Sequence, residues 1–161
     1  AAAKVLETSD DIQFVLIGGG PRKFEYLSLA STLGIENSLF FTGEINNVEE
    51  YLKISDVSVL ISTNSEGFPN FLLESMACVT PILATSDGGT KELLIHGENG
   101  FFINSGDYMT LSDRILYLKN NSDLHNQLRF NCIAMVKKRF NRSIFFQNFE
   151  DILDNGTVLL K

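Results

Sequence analysis

What most limits the fold of this chain is an alternation of short apolar runs, glycine-bearing loops and segments with helical spacing, without an internal sequence repeat. Residues 13–17 (Gln-Phe-Val-Leu-Ile) form the first run, which ends in Gly18-Gly19-Gly20-Pro21. Phe24, Leu27, Leu29 and Ala30 then fall near helical spacing over residues 23–32, and Gly34 supplies a stop. Further strands are expected at 38–42, 57–61, 82–84 and 101–103, with helices after Asn47, over 70–77, and after Gly88-Gly89. Asn47 and Glu50 have the spacing of a capping box. From Tyr108 onward the texture is helical, at 108–119, 122–138 and 144 to about 153. Short apolar strands alternating with helices specify a Rossmann-like α/β fold. Its parallel sheet is covered by helices on both faces and its carboxyl end is helical. All 161 residues fit a single domain. In such sheets ligands bind beyond the carboxyl ends of the strands, which singles out the loops at 18–21, 42–45, 62–69 and 85–90.

Charge and composition narrow the partners. A formal net charge of -7 argues against non-specific nucleic-acid binding, which needs clustered Lys and Arg, so no nucleic-acid partner is expected. It leaves room for a phosphate ligand, because local amides hold an anion whatever the total charge. No apolar run approaches the roughly 20 residues that span a bilayer. Two cysteines, Cys78 and Cys132, are too few for a disulfide framework, and the cytoplasm is the expected compartment. His96 and His125 lack Cys, His or carboxylates at ligand spacing, so neither a metal nor a tightly held cofactor is expected. The opening Ala1-Ala2-Ala3-Lys4-Val5-Leu6-Glu7 reads as the tail of a helix, which in this architecture follows another strand. The chain is thus expected to continue a longer polypeptide; a scar of alanines from expression is the plainer alternative.

The segment richest in chemistry is Ser65-Glu66-Gly67-Phe68-Pro69-Asn70-Phe71-Leu72-Leu73-Glu74. A strand at 57–61 delivers the chain into this loop, and Pro69 suits a helix start. The first amides of the helix, from about Asn70 to Leu72, lack internal partners and suit a phosphate or diphosphate. Gly67 would let that backbone approach closely. Glu66 in the loop and Glu74 one turn into the helix flank the amides, and each can accept hydrogen bonds from hydroxyls beside the phosphates. That arrangement suits a sugar nucleotide, with ribose on one side and the transferred sugar on the other. Spacing by itself decides nothing. Eleven glutamates give about one such pair by chance, and Glu36 with Glu44 is a second. Judged on spacing alone, Glu66 is a solvated loop residue and Glu74 an exposed helix residue.

A family resemblance adds to this. Residues 66–77 (Glu-Gly-Phe-Pro-Asn-Phe-Leu-Leu-Glu-Ser-Met-Ala), then Pro81-Ile82-Leu83-Ala84-Thr85 and Asp87-Gly88-Gly89-Thr90-Lys91-Glu92-Leu93, resemble the signature of the family 4 retaining glycosyltransferases. Ile17-Gly18-Gly19-Gly20-Pro21, Phe40-Phe41-Thr42-Gly43 and Gly97-Glu98-Asn99-Gly100-Phe101 extend the likeness over about residues 10–150. Those enzymes have the GT-B fold, two Rossmann-like domains with the active site between them. The resemblance implies that this chain is the carboxyl-terminal, donor-binding half. Its donor would be a nucleoside-diphosphate sugar, its acceptor a glycan or lipid-linked molecule, and its partner the amino-terminal domain of the same enzyme.

The resemblance also implies roles. Glu66 would bind hydroxyls of the transferred sugar and stabilise charge developing at the anomeric carbon; Glu74 would hold the ribose hydroxyls. Amides near Gly67, Phe68, Asn70, Phe71 and Leu72 would meet the sugar and diphosphate. The loop at Gly43 to Ile45 would seat the base, and Gly18 to Gly20 would leave room for the nucleotide. No metal is expected to hold the diphosphate.

Two departures stand out. The family usually has glycine where Val79 stands, and a β-branched side chain predicts a rearranged turn without positive φ. The basic residues that neutralise the leaving diphosphate in the family lie before Ala1, and Arg22 and Lys23 read as a solvated helix opening rather than their replacements. The isolated chain is therefore expected to be inactive. The alternatives are the donor half of a GT-B sugar-nucleotide epimerase and a non-catalytic, flavodoxin-like nucleotide-binding domain.

Overall fold

The computed structural model describes residues 1–62, 67–144, 146, 147 and 150. Within them the chain runs α1 (Ala2–Leu6), β1 (Phe14–Ile17), α2 (Lys23–Thr32), a 3-10 turn (Glu36–Ser38), β2 (Leu39–Gly43), α3 (Val48–Ile54), β3 (Ser58–Leu60) and α4 (Asn70–Ala77). It continues with β4 (Ile82–Thr85), α5 (Thr90–Leu93), β5 (Gly100–Ile103), α6 (Tyr108–Asn120) and α7 (Ser122–Arg139). The expected helix from 144 to about 153 falls largely outside the described residues.

Every strand pairing is parallel. β1 pairs with β2, and β3, β4 and β5 form a second set in that order. β4 is buried at all four residues and divides the core. Alternate strand residues point to opposite faces. Leu83 accordingly joins Val5, Phe101, Ile103, Ile115, Leu118 and Leu128 beneath α1, α6 and part of α7. Ile82 and Ala84 face the other way, against Leu72, Met76, Leu93, Leu94 and Cys132 from α4, α5 and α7. Each fully buried aliphatic side chain here contributes about 1.5–3 kcal/mol over exposure.

Three sequence expectations change. Only Ala30 of α2 is buried; Phe24 is 82% exposed, and Leu27, Leu29 and Leu33 are also exposed. The periodicity specified the helix but not a surface to cover it. Asn47 does begin α3, but its side chain caps no backbone amide. Its amide nitrogen instead donates to the Glu50 carboxylate at 2.6 Å.

Val79 overturns the third expectation: its φ is 65°. The turn after α4 keeps the geometry glycine usually provides. The Thr80 amide donates to the Ser75 carbonyl at 2.9 Å and the Val79 amide to that of Met76 at 3.0 Å. Thr80, almost wholly buried, also anchors the turn by donating its hydroxyl to the Leu52 carbonyl at 2.7 Å. The surrounding bonds hold valine in a region that costs an L-residue roughly 1–2 kcal/mol.

Candidate functional site

The loops singled out by the sequence form two pairs, each at carboxyl ends of neighbouring strands. The first pair follows β1 and β2. The Gly18 amide donates to the Gly43 carbonyl at 3.0 Å, and the Thr42 hydroxyl donates to the same oxygen at 2.7 Å. Gly18, Gly20 and Gly43 all have positive φ, at 122°, 139° and 71°. That backbone is closed to most side chains. The Glu44 side chain lies against Gly19, where a Cβ would meet its Cγ at 2.9 Å. Ile45 is half-buried beside it. An open cavity of about 320 Å³ lies against Gly18–Pro21, the first turn of α2, Tyr26 and Phe41.

Arg22, at the mouth of this cavity, is already committed. Its guanidinium donates twice to Glu25, at 2.7 and 2.9 Å, and stands 5.1 Å from the centre of the Tyr26 ring. The pairing lowers the Glu25 carboxyl below its usual range. This is the solvated helix opening that the sequence suggested.

The second pair follows β3 and β4. Thr63, Asn64, Ser65 and Glu66 lie outside the described residues, and so does the proposed catalytic carboxylate. On one side of them the Ser62 amide donates to the buried Thr85 hydroxyl at 3.1 Å. On the other, the Gly89 amide donates to the Gly67 carbonyl at 3.0 Å. A Cβ on Gly89 would stand 2.1 Å from that oxygen, whereas one on Gly67 would meet nothing within 4 Å. The contact between the two loops thus depends on Gly89 having no side chain, while the space beside Gly67 stays open. The phenyl ring of Phe68 leaves the loop toward Phe140, with ring centres 6.0 Å apart.

α4 then begins at Asn70, with Pro69 preceding its first turn. No side chain caps it. Among the described residues the Asn70 and Phe71 amides have no hydrogen-bond partner. Leu72 departs from the expectation: its amide donates to the Pro69 carbonyl at 3.0 Å and its side chain is fully buried. The tight first turn consumes that donor. Burial along α4 follows helical spacing, with Leu72, Ser75 and Met76 inside and Asn70, Glu74 and Ala77 outside. Glu74 therefore shares the exposed face with Asn70, one turn from those amides.

Two buried side chains important to this region escaped the sequence reading. Thr85 reads as the first residue of the loop after the fourth strand, yet it ends β4 and its hydroxyl holds the Ser62 amide. Asn99 reads as a turn former, yet it is only 1% exposed. It donates to the Leu93 carbonyl at 2.7 Å and accepts from the Ile95 amide at 2.8 Å, which fixes the chain leaving α5. Both histidines are bonded to backbone, His96 accepting from the Phe102 amide and His125 meeting the Asp56 carbonyl. A second cavity, about 250 Å³ between Ile95, Asn99 and α7, opens at the amino end of β5, away from these loops.

Two glycine-lined loops and an uncapped helix start all lie at carboxyl strand ends, where open α/β sheets bind their ligands. The sequence model of the family described as glycosyl transferases group 1 matches residues 1–135. The chain belongs to that family. N-acetyl-alpha-D-glucosaminyl L-malate synthase of Bacillus anthracis is 33% identical over 152 residues, 94% of this chain and 39% of that protein. The Vi polysaccharide biosynthesis protein VipC/TviE of Salmonella typhi is 32% identical over 116 residues, 72% of this chain and 20% of that protein. The chain thus spans well under half the length of these relatives. Among solved structures, Anabaena Alr3699/HepE in complex with UDP-glucose superposes with a TM-score of 0.85 at 24% identity, over 96% of this chain and 44% of that one. The carboxyl-terminal domain of a group 1 family protein, LpcC from Francisella tularensis, gives 0.77 at 24% identity, over 88% of this chain and 76% of that one. These likenesses show the fold, that of the GT-B glycosyltransferases. Among the described residues no helix is long and apolar enough to cross a membrane.

Proposed function

We propose that this chain is the donor-binding domain of a retaining glycosyltransferase. The full enzyme would transfer a sugar from a nucleoside-diphosphate sugar to a glycan or lipid-linked acceptor in the cytoplasm, at the inner membrane face where its other domain brings it there. The observation that carries the reading is the start of α4, where the Asn70 and Phe71 amides have no partner among the described residues and Glu74 stands on the same exposed face. Unpaired amides at a helix start attract a diphosphate through hydrogen bonds and the helix dipole. A carboxylate one turn away accepts from ribose hydroxyls without touching the phosphates. Gly18–Gly20 and Gly43–Ile45 lie at the carboxyl ends of β1 and β2, where open backbone accommodates the base and ribose. Glu66, as the family's motif implies, is assigned to the transferred sugar. The diphosphate is held without a metal.

The nucleotides in the solved HepE complexes, UDP and UDP-glucose, give the first ligands to try. Titrating UDP, GDP, ADP and their sugar conjugates while following amide shifts by NMR tests the reading. Shifts at Gly18, Gly43 to Ile45 and Gly67 to Glu74, unchanged by EDTA, are expected. Binding of flavin instead, or nucleotide shifts confined to the cavity beside Asn99, would overturn it. Sugar transfer is expected only once the amino-terminal domain is supplied.

A further inference from the structure

The backbone that leads into α4 is held from two directions. One hold is the Gly89 amide on the Gly67 carbonyl at 3.0 Å. The other is the Phe68 ring, which meets the Phe140 ring with centres 6.0 Å apart and planes tilted by 55°. That separation lies within the range over which aromatic rings attract beyond their burial. Phe68 is 41% exposed, so it is not placed by a core that surrounds it. Phe140 ends α7 and is itself fixed. Its amide donates to the Val136 carbonyl at 2.9 Å, and its side chain packs against the apolar cluster of Leu72, Met76 and Cys132. The Arg139 guanidinium stands 5.3 Å from the centre of its ring.

The two holds belong to one circuit. Arg139 donates to the Glu92 carbonyl at 3.1 Å, which ties the end of α7 to α5. The Glu92 amide donates to the Gly89 carbonyl at 3.0 Å, and the Gly89 amide returns to Gly67, the neighbour of Phe68. We propose that Phe140 is a positioning residue for nucleotide binding: its ring holds Phe68 and thereby aims the Asn70 and Phe71 amides. Only Pro69 separates Phe68 from Asn70. The proline ring fixes its own φ, here -77°, so a shift of Phe68 passes to the helix start instead of being absorbed by a freely turning bond. Phe140 touches no ligand in this role. Arg139 acts one step further back, by anchoring the end of α7 to α5.

This inference rests on the reading of the α4 start as the diphosphate site, and its test separates the two. A ring pair that served the fold alone would lower stability and leave the affinity of the folded protein unchanged. Positioning predicts that the two rings act as a unit on binding, so that losing either is equivalent to losing both.

Calorimetric titration with whichever of UDP, GDP or ADP binds the unsubstituted chain most tightly provides the test. Phe140→Leu keeps apolar bulk and removes the ring. It and Phe68→Leu are each expected to weaken binding about three- to tenfold, and the double variant no more than either alone. Phe140→Tyr, which restores the ring, should bind like the unsubstituted chain. Affinity of folded Phe140→Leu within about twofold of the unsubstituted chain, or losses that multiply in the double variant, overturn the inference and leave the donor reading standing. An unsubstituted chain that binds none of the three nucleotides overturns both. Should Phe140→Leu fail to fold, Arg139→Ala decides. Arg139 is exposed, and the fold tolerates truncation there; binding about threefold weaker is expected, and unchanged affinity overturns the inference.

Discussion

The Gly89 amide donates to the Gly67 carbonyl at 3.0 Å, with no room for a Cβ between them. This contact ties the loop after β4 to the loop that carries the start of α4. Gly89→Ala must push that carbonyl away, and with it the amides of Asn70 and Phe71. The variant is expected to lose about 1–3 kcal/mol of stability in urea unfolding and to bind UDP at least roughly tenfold more weakly. Gly67→Ala is the control. Its Cβ would enter open space, so its stability should stay within about 0.5 kcal/mol. Equal behaviour of the two variants would show that the contact does not hold the loop.

Val79 gives a second prediction, with the opposite sign. The turn bonds keep it at φ 65°, where glycine carries no Cβ penalty. Val79→Gly removes roughly 1–2 kcal/mol of backbone strain, partly offset by greater freedom in the unfolded chain. A net gain of about 0.5–1 kcal/mol is expected in denaturant unfolding. A loss would mean that the valine side chain contributes more through contact than its conformation costs.

How much of this was legible in the sequence follows from the range of each interaction. α2 and α4 were delimited correctly because glycine, proline and helical spacing are local signals. The pairing of the site loops was legible too, since parallel strands put their carboxyl ends together. Val79 was misread because propensity describes the isolated turn, while the Thr80 hydroxyl to Leu52 bond that pins it comes from a distant helix. Gly89 and Thr85 were missed for the same reason, their partners being 22 and 23 positions away. The exposure of Val15 was invisible because an apolar run says that a strand wants covering, not what covers it.

Asn99 supports the chain between α5 and β5 from inside the protein. Replacing it with Leu leaves the Leu93 carbonyl and the Ile95 amide without their side-chain partner in a buried place. Each unsatisfied buried group costs roughly 1–3 kcal/mol. Asn99→Leu should therefore lower stability by about 2–5 kcal/mol despite its greater hydrophobicity. A neutral result would mean that water reaches and satisfies these groups.

The two thiols should separate by reactivity. Burial pushes the Cys132 thiol up to about 12 and raises Cys78 less, chiefly by partial desolvation. The thiolate is the reactive form, so at pH 8 both are slower than a free thiol. Cys78 is half-buried and should be the one that labels in the folded protein with a disulfide reagent, faster as pH rises. Cys132 should label only as the protein unfolds, so denaturant, not pH, should control its rate. Two equally fast thiols would contradict the burial of Cys132 between α7 and β4.

Glu74 offers the sharpest test of the ligand assignment, because its role predicts a dependence on the ligand as well as on the residue. It is exposed and should be dispensable for folding. If its carboxylate accepts from ribose hydroxyls, Glu74→Ala removes charge-assisted hydrogen bonds worth roughly 1.5–3 kcal/mol, a loss of about tenfold to a hundredfold in UDP affinity. For a uridine diphosphate lacking both ribose hydroxyls the same substitution should change little, since the bonds are already gone. The coupling between the two deletions isolates the contact from any general effect of removing a negative charge near a diphosphate. That general effect acts in the other direction, tightening both ligands alike. Calorimetry on the four combinations separates the two, and equal effects of the substitution on both nucleotides would remove Glu74 from the ribose site.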